Sequence, residues 1–194
     1  DEIYEYINFK GEHVSIGSIE AVRERTITVN GFSKGFAMTG WRLGYMGAPL
    51  EIAKACGKMQ GQFTSGATAF GQKAAAVALN SDMSPTYKMC EAFRQRRDMV
   101  IGLLKQIPGF KVNHPEGAFY IFPDISNYFG KSDGETRIDN ADDFCNYLLM
   151  NAHVAVVSGS AFGADNCFRL SYAASEEQLR EAVKRIGEAV GRLK

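Results

Sequence analysis

Residues 31–44 read Gly31-Phe32-Ser33-Lys34-Gly35-Phe36-Ala37-Met38-Thr39-Gly40-Trp41-Arg42-Leu43-Gly44. The run before it, Arg25-Thr26-Ile27-Thr28-Val29-Asn30, alternates and is rich in β-branched residues, the pattern of a strand. A second strand is expected over Leu43 to Met46, closed by Gly47 and Pro49. Residues 31–40 are therefore a loop with at most one helical turn, and they set a single lysine, Lys34, among glycines, small residues and aromatic rings. A lysine in such company is partly desolvated, which frees its amine as a nucleophile toward a carbonyl. The residues alone leave a second reading open, a solvated loop lysine, the commoner fate of the residue type.

Outward from this stretch, Pro49 opens a helix running to about Gln62, and an Ala-rich helix follows over Ala67 to Asn80. The longest helix is expected from about Pro85 to Gln106, where Tyr87, Cys90, Phe93, Leu103 and Leu104 recur at near-helical spacing, and Pro108-Gly109 ends it. Beyond it the grammar shifts to strands near 110–112 and 118–122, a polar loop over 126–140, a helix over 141–151, strands near 154–157 and 168–172, and a last helix over 175–193. Ser175-Glu176-Glu177-Gln178 has the spacing of a capping box. The order predicts an α/β protein in three parts: residues 1–84, an interdomain helix over 85–108, and a small α+β domain over 109–194. The first part has few strands for an independent sheet and calls for a partner segment.

With 22 Lys+Arg against 22 Asp+Glu the formal charge is zero, which gives no electrostatic case for nucleic acid or an anionic membrane. No apolar run approaches the roughly 20 residues of a membrane span. The acidic, aromatic start at Asp1 is unlike a secretion signal and lacks a Met, so the chain is expected to be a piece of something longer. Cys56, Cys90, Cys145 and Cys167 lie far apart with no Cys-x-x-Cys, and His13, His114 and His153 stand singly. They predict reduced thiols of a cytoplasmic protein and no metal site. Neither a phosphate loop nor a nucleophile elbow is present, since Gly130-Lys131-Ser132 lacks the upstream glycine and Ser158-Gly159-Ser160 does not fit.

The stretch Gly31 to Gly44 resembles the cofactor-lysine motif of class I, fold-type I aminotransferases, and within them the aspartate aminotransferase branch. Asp1-Glu2-Ile3-Tyr4-Glu5 is similar to that family's Asp-x-x-Tyr segment, and Gly117-Ala118-Phe119-Tyr120 and Phe168-Arg169-Leu170-Ser171-Tyr172-Ala173 to its small-domain landmarks. The resemblance implies the end of a large pyridoxal 5′-phosphate-binding domain plus a small C-terminal domain. It implies Lys34 as the Schiff-base lysine and proton carrier, Asp1 against the pyridine nitrogen, Tyr4 on the ring oxygen, Ser33 and Arg42 toward the phosphate, and Arg169 for the substrate carboxylate. It also implies transamination between an amino acid, aspartate foremost, and 2-oxoglutarate in amino-acid metabolism, carried out by a cytoplasmic homodimer.

Two positions depart from the family pattern: Gly31 stands where many members carry Ser or Thr, and Ser158 where a proline is usual. The family chain is roughly twice as long, so the N-terminal half of the same protein is expected as a missing partner, without which the chain binds cofactor poorly. The rival readings are other chemistry on the same lysine, an aromatic, alanine or kynurenine aminotransferase or a lyase, and a catalytically silent dimerisation module.

Overall fold

Strands β1 (Thr28–Gly31) and β2 (Gly44–Gly47) pair antiparallel, Thr28 opposite Gly47 and Gly31 opposite Gly44. The lysine stretch is thus the connection between two adjacent strands. β1 starts later than alternation predicts, because the amides of Arg25 and Thr26 finish the preceding helical turns by donating to Val22 and Arg23. The computed structural model describes every residue from Asp1 to Lys194. Its elements form two compact units, Asp1–Glu91 and Ala92–Lys194, divided within one helix.

In the first unit a short helix, α1 (Glu20–Arg23), precedes β1, and α2 (Leu50–Phe63) and α3 (Ala69–Asn80) follow β2. Pro49 ends the strand and its carbonyl accepts from Ile52 and Ala53, which launches α2. Little of these two helices is covered: α2 has no buried residue, and α3 buries only Gly71 and Ala75. The long helix α4 (Ser84–Leu104) occupies most of the expected 85–108 span and carries the chain from the first unit into the second.

The second unit holds a three-stranded antiparallel sheet in the order β3 (Tyr120–Ile121), β5 (Phe168–Ser171), β4 (Val157–Ser158), with α5 (Ala141–Ala152) and α6 (Glu176–Val190). Phe110, Tyr128, Phe144 and Phe168 form a ring cluster with centroids 5.5 to 6.1 Å apart in neighbouring pairs, and the Phe144 and Phe168 side chains are fully buried. Asn140 caps α5 by accepting from the Asp143 amide, and His153 ends it in the left-handed region at φ 54°. The Ser175–Gln178 capping box opens α6 as the sequence predicts.

Of the expected strands that come out shorter or absent, two do so for a plain local reason. The 110–112 strand reduces to one bridge, Lys111 with Asp124, because the Asn113 side chain takes the Phe122 amide that a ladder would have used. The 154–157 strand begins only at Val157, since the Val154 amide is spent on the Leu148 carbonyl at the end of α5. The architecture is mixed α/β, and no helix is long and apolar enough to cross a membrane.

Candidate functional site

Inside the lysine loop, side chains sort by polarity. Phe32, Leu43 and Ala75 form a small core with Phe36 and Met38 packed on it, which leaves Ser33 and Lys34 half-buried on the other side. The loop closes on itself: the Phe32 amide donates to Leu43 at 3.3 Å, Met38 to Phe32 at 3.1 Å, and Ala37 to Lys34 at 3.2 Å. Lys34 Nζ lies 5.8 Å from the centroid of the Tyr4 ring, within cation–π range. The structure thus brings together two residues 30 positions apart that the sequence singled out separately.

What brings Tyr4 there is a set of ties on the segment before it and after it. The Glu2 amide donates to Val29 of β1 at 2.8 Å, and the Glu5 carboxylate accepts from Asn30 Nδ2 at 2.8 Å. Tyr6 packs against Gly35, where a Cβ would come 2.4 Å from Cδ2 of its ring, and meets Phe36 edge-on at 5.6 Å. On the far side Thr86 of α4 donates its hydroxyl to the Gly35 carbonyl at 2.9 Å. Asn30 and Thr86 belong to no motif, and Glu5, though it closes the Asp1–Glu5 segment, is not marked by it; the one signal in sequence is a polar residue ending a strand.

Of the remaining residues predicted for the site, Asp1 and Arg42 make local contacts. Asp1 is exposed and its carboxylate accepts from the Ile3 amide at 3.0 Å. Arg42 is exposed, sits at φ 53° after a helical turn over Thr39–Trp41, and donates from Nη1 to the Thr39 carbonyl at 2.7 Å. Arg169 belongs to the second unit, on β5 opposite Val157. Its guanidinium is held between the rings of Tyr120 and Phe162, 4.4 Å from each centroid, an arrangement that fixes the plane of its fork while leaving its N–H edge to meet an anion.

Both departures from the family pattern have a steric setting. A side chain at Gly31 would begin 3.0 Å from the Leu43 carbonyl and 3.2 Å from Ile3 Cδ1, so a hydroxyl-bearing residue would be crowded there. Ser158 uses its hydroxyl to accept from the Ser160 amide, capping the turn over Gly159–Phe162. Gly159 itself admits no side chain, since a Cβ would lie 2.2 Å from the Ala164 carbonyl.

His13, isolated in sequence, lies 3.1 Å from the Glu2 carboxylate, which also accepts from Ser15 at 2.7 Å. Ligating atoms of Glu2, Glu5 and His13 all fall within 4.8 Å of one another. Burial opposes the charge on Glu2, but the hydrogen bonds from Ser15 and His13 outweigh it and hold the carboxyl below the usual carboxylate range. Burial, joined by the negative charge of Glu5, pushes the Tyr6 and Tyr45 phenols up.

Residues 1–186 match the family model described as aminotransferase class I and II. Over its whole length the chain is 48% identical to a bifunctional aspartate aminotransferase and glutamate/aspartate-prephenate aminotransferase of Petunia hybrida, covering 42% of that protein. It is 45% identical to an aspartate aminotransferase of Rhizobium meliloti, all of the chain against 48% of the relative. Among solved structures, a Rhizobium meliloti aspartate aminotransferase superposes with a TM-score of 0.96 at 46% identity, over all of this chain and 49% of that one. An aromatic aminotransferase from Pyrococcus horikoshii superposes at 0.88 and 40% identity, over 98% of this chain and 50% of the other. The chain spans about half the length of the relatives it matches.

Proposed function

Since the chain belongs to the aminotransferase class I and II family, we propose that it carries the catalytic lysine of a pyridoxal 5′-phosphate-dependent aspartate aminotransferase, Lys34. The family implies the cofactor, and the donor set fits it. An amine suits the aldehyde, a carboxylate the ring nitrogen, a phenol the ring oxygen, and a hydroxyl with a guanidinium the phosphate. The observation that carries the reading is the approach of Lys34 Nζ to the Tyr4 ring, 5.8 Å, in a loop packed from beneath by Phe32, Phe36 and Met38.

The cofactor, when bound, supplies an electron sink for the pair left behind when a proton leaves substrate Cα. Lys34 would hold the aldehyde in the resting state and then move that proton. Asp1 would keep a proton on the ring nitrogen by charge pairing, Tyr4 would donate to the ring oxygen, and Ser33 and Arg42 would meet the phosphate. Arg169 would take the substrate α-carboxylate as a two-pronged partner and so orient Cα–H. In this reading residues 1–84 are part of the large cofactor-binding domain, 85–108 the connecting helix and 109–194 the small domain. The other walls of the site belong to the length of the relatives that this chain does not span, and the whole protein is a homodimer.

Aspartate is the proposed amino donor, which the names of the relatives at 42 to 48% identity support, and 2-oxoglutarate is proposed as its acceptor. The test is reduction of the intact, full-length protein with borohydride in the presence of pyridoxal 5′-phosphate, followed by peptide mass mapping. The pyridoxyl mass is expected on Lys34 and absent from the Lys34→Ala variant. Label spread evenly over surface lysines, or none at Lys34, overturns the assignment.

A further inference from the structure

Asn30 (6% exposed), Thr86 (7%) and Arg97 (6%) are the buried polar and charged residues of this protein. Two of the three grip the backbone on either side of the lysine, at Gly31 and at Gly35. Asn30 spends both ends of its amide: Oδ1 accepts from the Gly31 amide at 2.7 Å and Nδ2 donates to Glu5 at 2.8 Å. Thr86 donates to the Gly35 carbonyl at 2.9 Å from 51 residues away. Between these grips stand only Phe32, whose ring is sunk in the small core, then Ser33 and Lys34. A buried polar group costs more than an apolar one of equal size unless its bonds are made, and when made they fix geometry more sharply than packing does.

We propose that Asn30 and Thr86, with Glu5 as the acceptor for Asn30, are positioning residues that clamp the loop on both sides of its lysine, at Gly31 and Gly35, and set where Lys34 Nζ stands relative to Tyr4. Glu5 adjoins Tyr4 in sequence, so the Asn30–Glu5 bond links the segment that carries the phenol to the strand end that starts the loop. Thr86 closes the other side through the residue after the lysine. The catalytic purpose of the fixed amine rests on the reading above, whereas the clamp stands on the hydrogen bonds themselves.

The clamp is tested on the full chain without cofactor, by reductive methylation with formaldehyde and dimethylamine–borane. The readout is labelling of Lys34 relative to the exposed Lys54. Asn30→Asp keeps the oxygen that accepts from Gly31, removes the donor to Glu5 and sets two carboxylates together. It is expected to raise the Lys34:Lys54 ratio about threefold or more, the size of a modest coupling energy. Glu5→Gln combined with Asn30→Asp restores the bond with its polarity reversed and is expected to bring the ratio back toward the parent value. Thr86→Val should loosen Lys34 in the same way while Thr86→Ser retains the parent ratio. The bond-preserving variants, which keep the fold, carry the test if a single variant unfolds. A parent-like ratio in both Asn30→Asp and Thr86→Val overturns the proposal, as does a double variant no closer to the parent than Asn30→Asp. Failure of borohydride trapping at Lys34 alongside the expected labelling pattern would instead sink the cofactor reading and leave the clamp standing.

Discussion

At the scale of single residues, burial decides more than charge. Tyr128 in the second unit is 4% exposed, donates its hydroxyl to the Pro108 carbonyl, and burial pushes its phenol up to about 12 from 10.0. The folded-state value lies above the unfolded one, so the neutral ring contributes stability that is whole below pH 10 and drains away as pH rises toward 12. Burial, with Asp142 adding to it, likewise raises the Cys145 thiol from 9.0 to about 11, which opens the decline earlier. In urea titrations across pH 8 to 12, Tyr128→Phe is expected to lose about 1 kcal/mol at neutral pH with its hydrogen bond and to show a shallower fall above pH 10. A variant as alkali-sensitive as the parent would mean that the phenol does not titrate with unfolding. The lysine stretch was legible at this scale because its information is local, with glycines, aromatics and Lys34 within 14 consecutive positions. The Asn30–Glu5 and Thr86–Gly35 bonds were not, because their partners lie 25 and 51 residues apart and neither pair has a composition that marks it.

Elements were legible where their signal was written in neighbouring residues and illegible where one hydrogen bond diverted them. The capping box at the start of α6 is such a written signal: Ser175 Oγ accepts from the Gln178 amide at 3.2 Å, and the Gln178 side chain accepts from the Ser175 amide at 3.3 Å. The helix then buries Leu179, Val183, Ile186, Ala189 and Val190 along one face, the 3-4 spacing of an amphipathic helix. Ser175→Ala leaves that face untouched and orphans the cap, so it should cost about 1 kcal/mol in chemical denaturation, with Ser175→Asp close to the parent. An alanine variant of unchanged midpoint would show that packing alone fixes the start of α6. The strands tell the opposite story. Apolar content pointed to one over 110–112, yet Asn113 competes for the Phe122 amide, a side-chain choice that hydrophobic periodicity does not report.

For the molecule as a whole, the two units differ in how their helices are supported. Helix α5 buries Ala141, Phe144, Cys145, Tyr147, Leu148 and Ala152, whereas α2 buries nothing and shows Leu50 at 66%, Met59 at 59% and Phe63 at 80% exposure. A 14-residue helix with glycines at 57 and 61 has little intrinsic stability in water, since most helical stability in proteins comes from a packed face. The sheet of the same unit has two strands, too few to hold alone without a covered side. Hydrogen exchange on the 194-residue chain at low concentration should therefore find α2 amides exchanging on the order of a hundredfold or more faster than those of α5, because local opening of α2 gives up no fully buried side chain. Equal protection in dilute solution would refute this account of α2. Protection that grows with protein concentration would show copies of the chain covering Leu50, Met59 and Phe63, since apolar side chains left this open gain by leaving water.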